Sequence, residues 1–164
     1  MLAAKEYPPV VRLARAVALF TLGFWAGMTA SAAMLKRALP SRGDEESDEV
    51  ALVAIMDGVA LKSRARAFRG GSILSWFGGV AVDLREAQLA PGAHLDVQSL
   101  CGGIALRVPP EWRIVSSVKA LGGGVAIDAP GPSSPDAPTL TLDGLAAFGG
   151  VAVGSRAADA PDAT

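Results

Sequence analysis

The chain has 164 residues, with 15 Lys and Arg against 16 Asp and Glu, and a single cysteine. Nearly cancelling charge excludes the basic field that nucleic-acid binding needs, and one cysteine excludes an internal disulfide or a cysteine-based zinc site. An apolar fraction of 51% with only 5% aromatics and 19 glycines suits thin, closely stacked layers better than a bulky core.

In chain order, residues 1–15 form an N-terminal flank, and residues 16–35 read AVALFTLGFWAGMTASAAML without a charge. As a helix, twenty residues rise about 30 Å, the hydrocarbon thickness of a bilayer. Arg12 and Arg15 precede the run, and Lys36 and Arg37 follow it. The pattern predicts one transmembrane helix. A cleaved signal peptide ending near Ala30-Ser31-Ala32 is the competing reading, and the Lys-Arg pair after Leu35 argues for a retained anchor. Lys and Arg balance on the two sides, so membrane orientation is not readable. Gly23, Gly27 and Ser31 recur every four residues and mark a face for helix pairing, through which a homodimer could form.

Residues 36–49 carry LPSRGDEESDE and read as an acidic, solvated linker. Residues 50–156 are repetitive. The corner Gly58-Val59-Ala60-Leu61 returns as Gly78-Gly79-Val80-Ala81-Val82, Gly102-Gly103-Ile104-Ala105-Leu106, Gly123-Gly124-Val125-Ala126-Ile127 and Gly149-Gly150-Val151-Ala152-Val153. From Gly58 to Gly79, Gly103, Gly124 and Gly150 the steps are 21, 24, 21 and 26 residues. Such a period marks a stack of like units. The alternating Val, Ala and Val give one strand per unit, and the glycine pair is expected to take positive φ at a sharp corner.

A second strand precedes each corner: 50–55, 72–76, 94–100, 114–121 and 139–147. Leu52, Ile73, Val97 and Val118 share one register, and Ile55, Trp76, Leu100 and Leu121 another. Gly144 and Ala147 break both patterns, which predicts a degenerate last coil capping the stack. APGPSSPDAP, residues 129–138, is an insertion at one turn, and residues 157–164 read as a disordered tail. The predicted fold is mainly β, a short solenoid of five coils behind one transmembrane helix. A two-layer antiparallel sandwich is the alternative.

Candidate sites are sparse. Lys62, Arg64 and Arg66 alternate, with Arg69 behind them, so a ridge could meet an anion or lipid headgroups. A charged edge that resists strand addition is the other reading. His94 lacks any triad or metal set. Cys101 reads as a small buried hydrophobe, and Trp76 and Trp112 as caps on apolar columns. Asp83 and Asp128 share a position occupied elsewhere by Lys62, Arg107 and Gly154, so paired acid–base chemistry is not expected. No catalytic, cofactor or metal site is expected.

The run FRGGSILSWFGGVAVDLREAQL, followed by LRVPPEWRIVSSVKALGGGVAID, resembles the C-terminal domain of LiaF-like proteins, the bacterial "cell wall-active antibiotics response" membrane proteins. The shared signatures are the aromatic-Gly-Gly-Val corner with its Asp-Leu pair, and Val-Pro-x-x-Trp before the next strand, over about residues 53 to 128. The resemblance implies a membrane-embedded N-terminal part, a β-rich repeat domain, and restraint of a sensor kinase in an envelope-stress system. This chain has one expected membrane segment where those members have several. The partners expected are therefore the lipid bilayer and another membrane protein, such as a sensor kinase.

Overall fold

A computed structural model describes residues 9–155 and divides into two units between residues 38 and 39. The first unit holds helix α1 (Pro9–Ala38). Within it the Thr21 hydroxyl donates to the Val17 and Ala18 carbonyls at 3.0 and 2.9 Å, and Ser31 donates to Gly27 at 2.8 Å. Among the described residues, no helix is both long and apolar enough to cross a membrane. The 157–164 tail lies outside the described residues.

The second unit is two parallel sheets facing each other across one core. The first contains β1 (Glu49–Ile55), β3 (Phe68–Trp76), β5 (Leu89–Leu100), β10 (Thr139–Ala147) and β7 (Arg113–Ser116) in that spatial order. A short β8 (Lys119–Leu121) also pairs with β10. The second runs β2 (Gly58–Lys62), β4 (Gly79–Asp83), β6 (Gly103–Val108), β11 (Gly150–Ser155) and β9 (Gly124–Asp128). Every strand pairing is parallel, which decides for the solenoid over the antiparallel sandwich.

Side-chain alternation fills the space between the sheets. Val80, Val82, Ile104, Leu106, Val151 and Val153 point in from one sheet. Leu52, Ile73, Val97, Leu95, Leu140 and Leu142 point in from the other. At roughly 25 cal/mol per Å² of apolar area, this continuous column is what holds the thin layers together.

The expected coil order is corrected. The last repeat, β10 and β11, does not cap the stack but inserts between the third (β5, β6) and the fourth (β7, β8, β9). The 129–138 insertion carries the chain back over the fourth coil. It is pinned there by the Arg113 guanidinium on the Ser134 carbonyl and by the Arg113 N–H on the Pro138 carbonyl at 2.8 Å. The reason lies in core quality. Ser116 occupies the register position of Leu142 and Leu95, and β7 and β8 are interrupted at 117–118, so the fourth coil suits an end.

The corner chemistry is also corrected. Positive φ falls not on the glycine pair but one residue earlier, at Met56, Phe77, Cys101, Gly122 and Phe148 (φ 50 to 64°). Each of the first four N–H groups along the stack donates to the carbonyl one coil on, for example Phe77 to Leu100 at 3.0 Å and Cys101 to Ala147 at 2.9 Å. The first glycine of each pair is needed for closeness instead: a Cβ on Gly149 would stand 2.2 Å from the Gly102 carbonyl oxygen. The second glycine has open space at Gly58, Gly79, Gly103 and Gly124. Below the corner, Ser75 and Ser99 are buried and donate to the Gly78 and Gly102 carbonyls at 2.9 Å.

The acidic stretch, largely exposed, runs beside β1 and is hydrogen-bonded to it. Arg42 and Ala51 exchange backbone bonds of 2.7 and 2.8 Å, and the Val53 N–H donates to Ser41 Oγ at 3.0 Å. Further along, the Arg64 N–H meets the Glu45 carbonyl and the Arg69 N–H meets Asp48.

Candidate functional site: an apolar trough with a phenylalanine rim

The alternation that buries Val80 and Val82 turns Gly79 and Ala81 outward. The same holds in every strand of the second sheet. The floor therefore consists of Gly58 and Ala60, Gly79 and Ala81, Gly103 and Ala105, Gly150 and Ala152, Gly124 and Ala126, in register. No floor side chain exceeds a methyl group, and the face forms a shallow trough of about 860 Å³.

One long side is the corner column. Phe77 and Phe148 stand there 47% and 72% exposed, and Trp76 meets the Phe77 ring at 6.2 Å. Behind them on the first sheet, Leu100, Leu121 and Leu145 are exposed as well. Both phenylalanines occupy left-handed backbone, which costs a residue with a Cβ about 1 to 2 kcal/mol. Large rings held outward in a strained conformation do not serve the core.

The opposite side is a register column of Lys62, Asp83, Arg107, Gly154 and Asp128, so charge alternates along the rim. Asp83 is clamped by Arg85, with Nε to Oδ1 at 2.9 Å and Nη2 to Oδ2 at 2.7 Å. That hydrogen bonding holds the Asp83 carboxyl below the ordinary carboxylate range, against the opposing effect of burial. Two strands separate Asp83 from Asp128, a span of about 14 Å. They form no carboxylate pair.

The predicted basic ridge is only partly free. Lys62 Nζ lies 2.6 Å from Glu86, and Arg64 bridges Glu86 at 2.9 Å and Glu45 at 3.4 Å. Hydrogen bonds from Lys62 and Arg64 lower the Glu86 pKa, and the Glu86 partner raises that of Arg64. Arg66 and Arg69 are exposed, and regular strand ends at Lys62. The Gly23, Gly27 and Ser31 positions are exposed along α1, with open space beside both glycines.

Three local readings change. Cys101 is half-buried on the left-handed corner, not a core residue. Trp112 is buried in the core, while Trp76 is half-buried at the corner. His94 has an acidic neighbour that sequence alone did not supply: its Nδ1 lies 3.2 Å from Asp143 on β10, because β10 sits beside β5. The phenylalanine rim was also missed. The signal was available, since Phe77 and Phe148 hold the same repeat position as Met56, Cys101 and Gly122.

No family model, no curated protein and no solved structure matches the chain.

Proposed function

We propose that the chain is a membrane-anchored, non-enzymatic interaction protein whose trough receives an amphipathic helix of another membrane-associated protein. The observation that carries the reading is the layout of the second sheet's outer face: an apolar trough floored by glycine and alanine, with exposed Phe77 and Phe148 at the corner before it and an alternating charged column at the strand ends beyond it. Five strands at about 4.8 Å span roughly 19 Å, the length of about 13 helical residues. An apolar helix face on the floor would set its flanks against Phe77 and Phe148 on one side and Lys62, Asp83 and Arg107 on the other, the helix-in-groove mode.

Anchoring rests on the uncharged 16–35 run within α1 and its basic flanks. The Gly23, Gly27 and Ser31 face supports pairing with another membrane helix. The LiaF-like resemblance of residues 53 to 128 supports a sensor kinase of an envelope-stress system as the partner. Arg66 and Arg69 are the basic-ridge residues best placed for headgroups.

The test is a photo-crosslinking amino acid at Ala105 in the full chain, activated in its native membrane, with the joined peptides identified. The expected product is one helical, amphipathic segment of one membrane protein, lost in Phe148→Asn. Crosslinks to lipid alone, or the same products with the crosslinker at Gln98 on the other sheet, would sink the reading.

A further inference from the structure

The second unit is uneven along its strands. The far ends of the second sheet carry the column Lys62, Asp83, Arg107 and Asp128, with Arg64, Arg85 and Glu86 close by. At the corner end, residues 56–58, 77–79, 101–103, 122–124 and 148–150 carry one charge among them, Asp57. Its carboxylate accepts from the Ile55 N–H at 3.0 Å. Apolar side chains stand out there instead: Phe77 and Phe148 on the corner, Leu100 and Leu121 one residue before it, and Leu145 behind them. Leu121 is 60% exposed, and a Cβ on Gly122 would stand 3.0 Å from the Phe148 ring, so ring and leucine adjoin. From Phe77 to Leu121 the row crosses four coils, a ridge about 14 Å long.

The ridge end is also the end at which the chain enters. Arg42 pairs antiparallel with Ala51, and Ser41 Oγ accepts from the Val53 N–H. Traced back from Arg42, the chain therefore runs along β1 toward its corner end at Ile55. Only Leu39 and Pro40 lie between Ser41 and Ala38, the last residue of α1, and such a stretch reaches about 11 Å at most. Whatever holds the end of α1 is tethered that close to the corner end of β1. The corner backbone, meanwhile, is closed on itself. The N–H groups of Phe77, Cys101 and Phe148 donate to the Leu100, Ala147 and Leu121 carbonyls at 2.9 to 3.0 Å. Behind them Gly79, Gly103, Gly124 and Gly150 donate to Asp57, Gly78, Gly149 and Gly102 at 3.0 Å. Such an edge can leave water without orphaning these donors, which lipid tails could not satisfy.

We propose that this ridge is a lipid contact: on the reading that α1 anchors the chain, it dips into the headgroup and acyl boundary of the same bilayer. Exposed Phe and Leu on a neutral edge gain by burial there. A convex row with no groove and few directional polar groups suits a fluid surface, where a protein partner would need matching shape. Lys119, the exposed register partner of Leu145, stands two residues back from Leu121, where an ammonium reaches headgroups. The charged far end stays in water. A helix in the trough would lie along the stack, and hence parallel to the membrane plane.

The experiment uses the full chain in phosphatidylcholine vesicles, with a photoreactive phenylalanine placed singly at Phe20, Phe148, Leu121 or Asp128. Phe20 reports the anchor, Phe148 and Leu121 the ridge, and Asp128 the far end. After illumination, lipid adducts are read by mass spectrometry. The expected result is adducts at Phe20, Phe148 and Leu121, with at least tenfold less at Asp128. Leu121→Glu should lower the Phe148 adduct at least threefold, with the circular dichroism spectrum and the Phe20 adduct unchanged. Adducts at Phe20 but none on the ridge, equal yields at Asp128 and Phe148, an unchanged Phe148 adduct in Leu121→Glu, or Phe148 joined to a second copy in place of lipid would each overturn the ridge and leave the anchor standing. Adducts at Phe148 without any at Phe20 would uphold the ridge and overturn the anchor, and no adduct at any position would overturn both.

Discussion

A Cβ on Gly144 would lie 1.9 Å from the carbonyl oxygen of Val97, in a backbone held at φ +136°. Gly144 occupies the inward register column of Val97, where neighbouring coils place Ile73 and Leu52. Restoring the apparent pattern with Gly144→Val should therefore destabilise the fold, by roughly 2 to 4 kcal/mol from strain and overlap. Urea denaturation of the variant checks this, and a gain in stability would refute it.

The two glycines of a corner should answer differently. At Gly102 a methyl group would meet Ser75 Oγ at 2.5 Å and the Gly78 carbonyl at 2.6 Å, whereas at Gly103 it meets nothing within 4 Å. Gly102→Ala is expected to cost about 2 kcal/mol, in the range of overpacked cores. Gly103→Ala should stay within about 0.5 kcal/mol of the native chain. Thermal melts of the pair decide, and equal losses would mean that closeness between coils is not what selects the first glycine.

Phe148 separates stability from binding. Its ring is 72% exposed at φ 51°, a backbone that Asn adopts more readily. Phe148→Asn should keep or raise the unfolding free energy, by up to about 1 kcal/mol, while abolishing crosslinking from the Ala105 position. A large loss of stability would place the ring's role in folding.

Acid should weaken the fold through Asp83 and Glu86. Both have folded pKa values below their ordinary range, Asp83 through Arg85 and Glu86 through Lys62 and Arg64. A depressed folded pKa supplies stability above the unfolded value of about 4, which is lost as pH falls through the lower folded value. Asp83→Asn should lose stability at neutral pH and show a shallower fall below about pH 4. Denaturation midpoints across that range test the sign, and parallel pH profiles would exclude Asp83.

The repeat made much of the fold legible. The second-strand columns Leu52, Ile73 and Val97 lie in one register, and the Val-Ala-Val alternation puts the alanines outside. Coil order was not legible from spacing, because steps of 21 to 26 residues fix the size of a unit but not its neighbour. Only residue quality carried that information: Ser116 stands where Leu95 and Leu142 do, marking the fourth coil as the weakest layer. Gly144 misled for a related reason. A missing side chain reads as a degenerate end, but here it answers a close backbone approach inside the stack. Of the trough, the sequence put Val80 and Val82 on one strand face and Ala81 on the other without saying which faces out, while the corner column depended on recognising Phe77 and Phe148 as left-handed residues.

The insertion of β10 and β11 sets an order on assembly as the chain emerges during synthesis. Residues 113–128 are made first, yet their native neighbours are strands of residues 139–155. Until those arrive, the fourth coil can dock on the third at the same period and with the same glycine corners. That arrangement is a decoy, and it must be undone before the last coil can enter. Slow refolding with a population whose fourth coil sits against β5 and β6 is the kinetic signature such threading leaves.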